Sequence, residues 1–201
     1  VWGDNSNGPL GLGHTDQVAE PTRMSLHSVT GISAGDSHSL FVTKAGAIYA
    51  AGDNTDNRMG IGLSKTGIHT APTYVDVTGL SDNYFVAVSA GRNHSLALTY
   101  SGLVYGWGDN TSGQAGAGES VEVTEPVLLE DEISKTIVAI SAGYDHSMAL
   151  AADGDLYTWG SNLQGQAGLG LLETEDIIWT PTINMTYLHD TDTIIRTIDA
   201  G

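Results

Sequence analysis

The chain has 201 residues, 40% of them hydrophobic, with 26 Gly, 5 Pro, no Cys, and 24 acidic against 7 basic side chains for a formal net charge of −17. That charge argues against direct contact with nucleic acid, whose phosphate backbone is held by clustered Lys and Arg, and the absence of Cys excludes disulfides and thiolate metal sites. No apolar run is long enough to span a bilayer, and the sequence opens at Val1 inside a repeat without a charged-then-apolar leader, so any targeting signal is expected to lie outside it. Gly at nearly twice its usual frequency, without a triplet period, points to many tight turns and a β-rich fold.

In chain order, the first elements are Trp2-Gly3-Asp4-Asn5, then Gly8-Pro9-Leu10-Gly11-Leu12-Gly13, a variable spacer, Pro21, and Ser33-Ala34-Gly35-Asp36-Ser37-His38-Ser39-Leu40. All three motifs return. Ala51-Gly52-Asp53-Asn54 leads into Asn57-Arg58-Met59-Gly60-Ile61-Gly62, Pro72 and Ser89-Ala90-Gly91-Arg92-Asn93-His94-Ser95-Leu96. Trp107-Gly108-Asp109-Asn110 leads into Gly113-Gln114-Ala115-Gly116-Ala117-Gly118, Pro126 and Ser141-Ala142-Gly143-Tyr144-Asp145-His146-Ser147-Met148. Trp159-Gly160-Ser161-Asn162 is followed by Gly165-Gln166-Ala167-Gly168-Leu169-Gly170 and Pro181, and the chain stops at Asp199-Ala200-Gly201. The marker glycines 3, 52, 108 and 160 are 49, 56 and 52 residues apart, close to the period of a four-stranded propeller blade. The units run approximately over 1–48, 49–104, 105–156 and 157–201 and make one domain of residues 1–201.

Between the motifs the residues predict strands. Phe85–Val88 and Thr136–Ile140 are short, rich in β-branched or aromatic residues, and end at Ser-Ala-Gly. A second strand leaves each His, as in Ser95–Thr99, turns at Lys44–Gly46, Tyr100–Gly102 or Ala152–Gly154, and returns through Ala47–Tyr49, Leu103–Tyr105 or Asp155–Tyr157 as a tight hairpin. Helical periodicity is absent, so the fold is all-β, each repeat being a small sheet that must stack on its neighbours. Asn57 stands where the other units have Gly and implies a positive φ, which Asn tolerates best after Gly.

The order of these motifs resembles the repeats of the regulator of chromosome condensation family over essentially the whole chain. The resemblance implies a β-propeller, about four blades being present here out of a larger, seven-bladed ring or an assembly. It also implies a non-enzymatic protein-protein interaction module: a scaffold or adaptor, an exchange factor for a small GTPase, or an inhibitor of a secreted enzyme. Two departures stand out, Ala51 in place of Trp and an atypical stretch from Leu171 to Thr193 that reads as an insertion loop. An open arc of blades would leave apolar faces uncovered, so further blades or association of copies are expected. The alternative is a self-associating structural or cell-surface protein, suggested by the incomplete ring and the Thr- and Gly-rich, Lys-poor composition; that composition leans towards an extracellular or cell-surface location.

His38, His94 and His146 are the regularly placed imidazoles and invite a metal reading, but one per repeat favours a structural task, fixing the same turn in each blade. His14, His27, His69 and His189 have no shared context and read as surface residues. The Gly-x-Gly pairs lack the following helix that a phosphate loop needs, and Asp53–Asn57 and Asp190–Asp192 lack calcium-loop spacing. Adjacent residues such as His94 and Ser95 point to opposite faces of a strand and cannot pair as base and nucleophile. The regular Trp and Tyr residues read as packing between blades. No catalytic set, cofactor or metal is expected. Function is left to the irregular spacers, where Glu119, Glu122, Glu125, Glu130, Asp131, Glu132, Glu173, Glu175 and Asp176 form an expected acidic edge for a protein partner, with Trp179 beside them.

Overall fold

The structure, a computed structural model, describes residues 1–129, 133–169, 176–184 and 195–201. The described residues contain no helix and form three four-stranded antiparallel sheets. The first holds β1 (Val29–Ala34), β2 (His38–Thr43), β3 (Ile48–Asp53) and β4 (Ile68–Tyr74). β5 (Phe85–Ala90), β6 (His94–Thr99), β7 (Val104–Asp109) and β8 (Glu122–Leu128) make the second. The third consists of β9 (Ile137–Ala142), β10 (His146–Ala151), β11 (Leu156–Ser161) and β12 (Ile177–Ile183). Strands follow one another in sequence order across each sheet, as in a propeller blade.

Three of the four expected blades are therefore complete. The sequence units begin inside the third strand of a sheet, so the first copy of the motifs supplies only two outer positions, paired at Gly3 and Val18. At the other end Asp199–Gly201 lies beside β9 outside any strand, where the Ala200 N–H donates to Ser141 Oγ at 2.9 Å. The same bond joins Ala90 to Ser33 and Ala142 to Ser89, so the inner strands of successive blades are tied at one repeated point.

Burial follows strand position. Every residue of β6 is buried, because its sheet has a neighbour on each face, and its sequence is accordingly apolar without alternation. Outer strands β4, β8 and β12 are more polar and each carries a Pro (Pro72, Pro126, Pro181), which blunts an edge that would otherwise accept another strand. The glycine of the Trp-Gly motif sits where the register between third and fourth strands shifts. Gly108 there has φ +101, and a Cβ would lie 2.6 Å from the Asn93 carbonyl oxygen, so no other residue fits. Asn57 has φ 55 against 71, 75 and 76 for Gly8, Gly113 and Gly165, as its substitution into the motif implied.

The core lies between blades. Trp107 and Trp159 are fully buried and lie over Gly60 and Gly116 of the preceding blade. Truncating such side chains typically costs about 3–5 kcal/mol, so these indoles dominate the two complete boundaries. At the first boundary Ala51 takes the Trp position, and Gly11 instead faces Met24 Cε and Pro72 Cγ, both 3.2 Å from where a Cβ would stand. The stretch expected as an insertion loop from Leu171 to Thr193 contains an ordinary outer strand, β12. Its low resemblance to the other outer strands hid a register that the pairing with β11 restores.

Candidate functional site

Two of the regular histidines tie blades together. His38 Nε2 lies 2.8 Å from Ser95 Oγ of the next blade, and His94 Nε2 lies 2.8 Å from Ser147 Oγ. Ser95 Oγ donates to the Arg58 carbonyl at 2.6 Å and Ser147 Oγ to the Gln114 carbonyl at 2.8 Å. Each hydroxyl has thus spent its proton, and the imidazole must donate through Nε2–H. The same two carbonyls accept from Trp107 Nε1 at 2.9 Å and Trp159 Nε1 at 3.0 Å. Burial holds His38 and His94 well below the ordinary 6.5, at about 3, with Arg58 adding to the effect at His38. Both rings are neutral, and their Nδ1 atoms are buried without a partner.

A histidine 2.8 Å from a serine has the form of a nucleophile and its base, made across blades where adjacency in sequence forbids it. Both members are fully buried and the serine points at a backbone carbonyl, so no substrate reaches the pair. The expected turn-fixing role is corrected in the same way: the imidazole bonds to the next blade, not to its own turn.

The motif Asn organises the Gly-x-Gly loop. Asn54 Oδ1 accepts from the Met59 N–H and Asn110 Oδ1 from the Ala115 N–H, both at 2.9 Å. The loop so formed reaches the outer strand of the following blade, with Gly13, Gly62 and Gly118 N–H donating to the carbonyls of Thr70, Thr124 and Trp179. Trp179 therefore occupies a regular outer-strand position that holds Thr in the other two blades.

Of the residues expected to bind a partner, Glu119, Glu122, Glu125 and Asp176 are exposed on the outer rim and Trp179 is partly buried in β12. Gly118, one residue before Glu119, bonds to the Trp179 carbonyl at 3.2 Å and so brings those two together across a blade boundary. Glu122 accepts a hydrogen bond from Asn57 Nδ2 of the preceding blade, which gives it a structural task. Glu130, Asp131, Glu132, Glu173 and Glu175 lie outside the described residues.

A second group was missed. Within Ser-Ala-Gly-x-x-His the two variable positions hold Asp36-Ser37, Arg92-Asn93 and Tyr144-Asp145 in successive blades. They cap the turns between the first two strands of each blade, and the first of each pair, Asp36, Arg92 and Tyr144, lines an open depression of about 310 Å³ together with Gly35, Gly91 and Gly143. Arg92 is exposed, and its guanidinium carbon lies 4.3 Å from the centroid of the Tyr144 ring of the next blade. The Arg92 backbone N–H also bonds to the Gly143 carbonyl at 3.3 Å. Burial raises the Asp145 carboxyl, while Arg92 nearby draws it back and Asp109 pushes it further up. Variation inside an otherwise constant motif was the available signal, since architecture demands nothing of those positions.

Sheets stacked through repeated His, Ser and Trp contacts, with varied side chains at the turn tips, define a β-propeller built for presentation of a surface. The chain belongs to the Regulator of chromosome condensation (RCC1) repeat family, whose repeat matches residues 1–42, 45–98 and 101–150. Among curated relatives, human E3 ubiquitin-protein ligase HERC2 is 37% identical over 175 residues, covering 85% of this chain and 4% of its own. Ultraviolet-B receptor UVR8 of Arabidopsis thaliana is 36% identical over 172 residues, covering 84% of this chain and 38% of its own. In fold the chain is similar to Prp20p from Saccharomyces cerevisiae, with a TM-score of 0.84 and 23% identity over 100% of this chain and 49% of that one. It thus spans less than half of these proteins. Propellers of these repeats mediate protein interactions. The extracellular or cell-surface leaning drawn from composition is overturned, because these relatives are nuclear or intracellular proteins. Gly and Thr are abundant because turns and strands need them, whatever the compartment.

Proposed function

We propose that this chain is a protein-docking module of the scaffold or adaptor kind, and that the face carrying Asp36, Arg92, Tyr144 and Asp145 is its docking surface. The observation that carries the reading is the contrast within one motif: every position that builds the blade is constant, while the exposed tips differ in charge and shape around a common depression. A rigid frame with varied tips suits recognition. The acidic rim of Glu119 and Asp176, with Trp179, would extend the contact outward. An exchange-factor role loses part of its candidate element, since Ile177–Ile183 is an ordinary outer strand. A self-associating structural role is not favoured by the relatives.

The Saccharomyces cerevisiae propeller is described with its binding properties to Gsp1p and histones, so core histones and a small GTPase are the first probes. Combined Asp36→Arg, Arg92→Glu and Tyr144→Ala should weaken binding at least about tenfold in titration calorimetry. Lys44→Glu with Tyr100→Ala on the opposite face should leave it unchanged. Equal loss from both variants would remove the assignment of the face.

A further inference from the structure

We propose that Arg92, stacked on Tyr144, is a recognition point for a single carboxylate on a protein partner, an Asp or Glu flanked by basic residues. This rests on the docking face above and goes further by naming the chemistry it reads.

Arg92 is one of 7 basic residues against 24 acidic ones. Among the described residues its guanidinium takes part in no ion pair within 4 Å, although Arg58 and Lys135 are paired with Asp56 and with Asp153 and Asp155. Arg92 instead sits over an aromatic face, with its guanidinium carbon 4.3 Å from the ring centroid. A cation–π contact uses no N–H donor of the guanidinium as an ion pair would, and so leaves its forked donors for a carboxylate. Its own turn is pinned to the next blade through the Gly143 carbonyl, so part of the ordering that binding demands is already in place.

The surroundings set the ligand charge. Asp36 lines the same depression, and Arg92 and Asp109 both lie close enough to Asp145 to act on its carboxyl. A dianionic phosphate would be repelled by these carboxylates more strongly than a monoanion. Basic side chains flanking the ligand carboxylate would in turn meet Asp36 and Asp145. The glycines that line the depression put no side chain into it, and they are required there. A Cβ on Gly91 would stand 2.2 Å from His94 Cε1 and 2.6 Å from the Gly143 carbonyl oxygen.

The test uses the whole chain and three acetylated, amidated pentapeptides, Gly-Lys-Glu-Lys-Gly and its forms with Gln or phosphoserine in the centre, followed by NMR. The Glu peptide should shift the Arg92 Nε–H and Tyr144 ring signals, and the Gln peptide should bind about tenfold more weakly. Arg92→Gln should abolish the Glu preference, and Tyr144→Leu should reduce it with Arg92 still present. Arg92→Lys should restore it only in part, because an ammonium neither forks nor stacks as well. Equal binding of the Glu and Gln peptides, tighter binding of the phosphoserine peptide, or an unchanged preference in Arg92→Gln would overturn the inference. If histone or GTPase binding is lost in the combined face variant while Arg92→Gln leaves the peptide preference intact, the docking face stands and only the carboxylate reading falls.

Discussion

At the residue scale the strongest feature is a neutral histidine kept neutral by its neighbours. Unfolded, His38 and His94 take up protons near their ordinary 6.5; folded, they resist until about 3. The unfolded chain therefore binds more protons between those values, and stability falls as pH drops through that window, by up to about 1.4 kcal/mol per pH unit for each ring. Proton uptake on urea unfolding from these groups should rise from about one at pH 6.5 to close to two at pH 4.5. His94→Gln should lower the slope by about one proton, and an unchanged slope would show that His94 is already charged in the folded protein. The sequence placed His94 in a structural role because it recurs, but its partner Ser147 lies 53 residues away, and recurrence of that Ser in the same motif does not say which imidazole it meets.

At the scale of the element, loops are set by backbone conformation and strands by register. Asn57 shows both. It adopts φ 55 at the head of its loop and reaches Glu122 on the neighbouring blade. Asn57→Ala keeps neither property, whereas Asn57→Gly restores the conformation alone. The Ala variant should be less stable than the Gly variant by about 1 kcal/mol, since a left-handed backbone costs an ordinary residue roughly 1–2 kcal/mol. Equal midpoints in urea would refute this. The positive φ was legible because Gly occupies the same place three times. The register of β12 was not, because Trp179 replaces Thr and the preceding spacer differs in length and composition, so the strand read as an insertion until its pairing with β11 was seen.

For the whole molecule, stability should be graded along the arc. The second blade is flanked on both sides and holds boundaries with a full His, Ser, carbonyl and Trp set. The N-terminal segment meets the first blade where Ala51 replaces Trp; its one β-bridge, Gly3 with Val18, is internal to the segment, and it reaches the blade through bonds such as Gly13 N–H to the Thr70 carbonyl. Repeat arrays open from their weakest boundary. Hydrogen exchange should be slowest at Leu96, Ala97 and Leu98 and fastest at Gly3 and Val18. A single protection level throughout would mean that the blades open as one unit.

By itself the sequence determined the repeat, the all-β class, the hairpins, the positions needing positive φ and the division between constant architecture and variable spacers. These are local properties, written within a few residues and repeated. Tertiary structure alone decided which Ser each His meets, that Trp179 belongs to a regular strand, and that Asp36, Arg92 and Tyr144 share one depression. Those facts depend on contacts between residues some 50 positions apart. Many side chains offer chemically equal partners for such contacts, and only the stacking of one blade on the next selects among them.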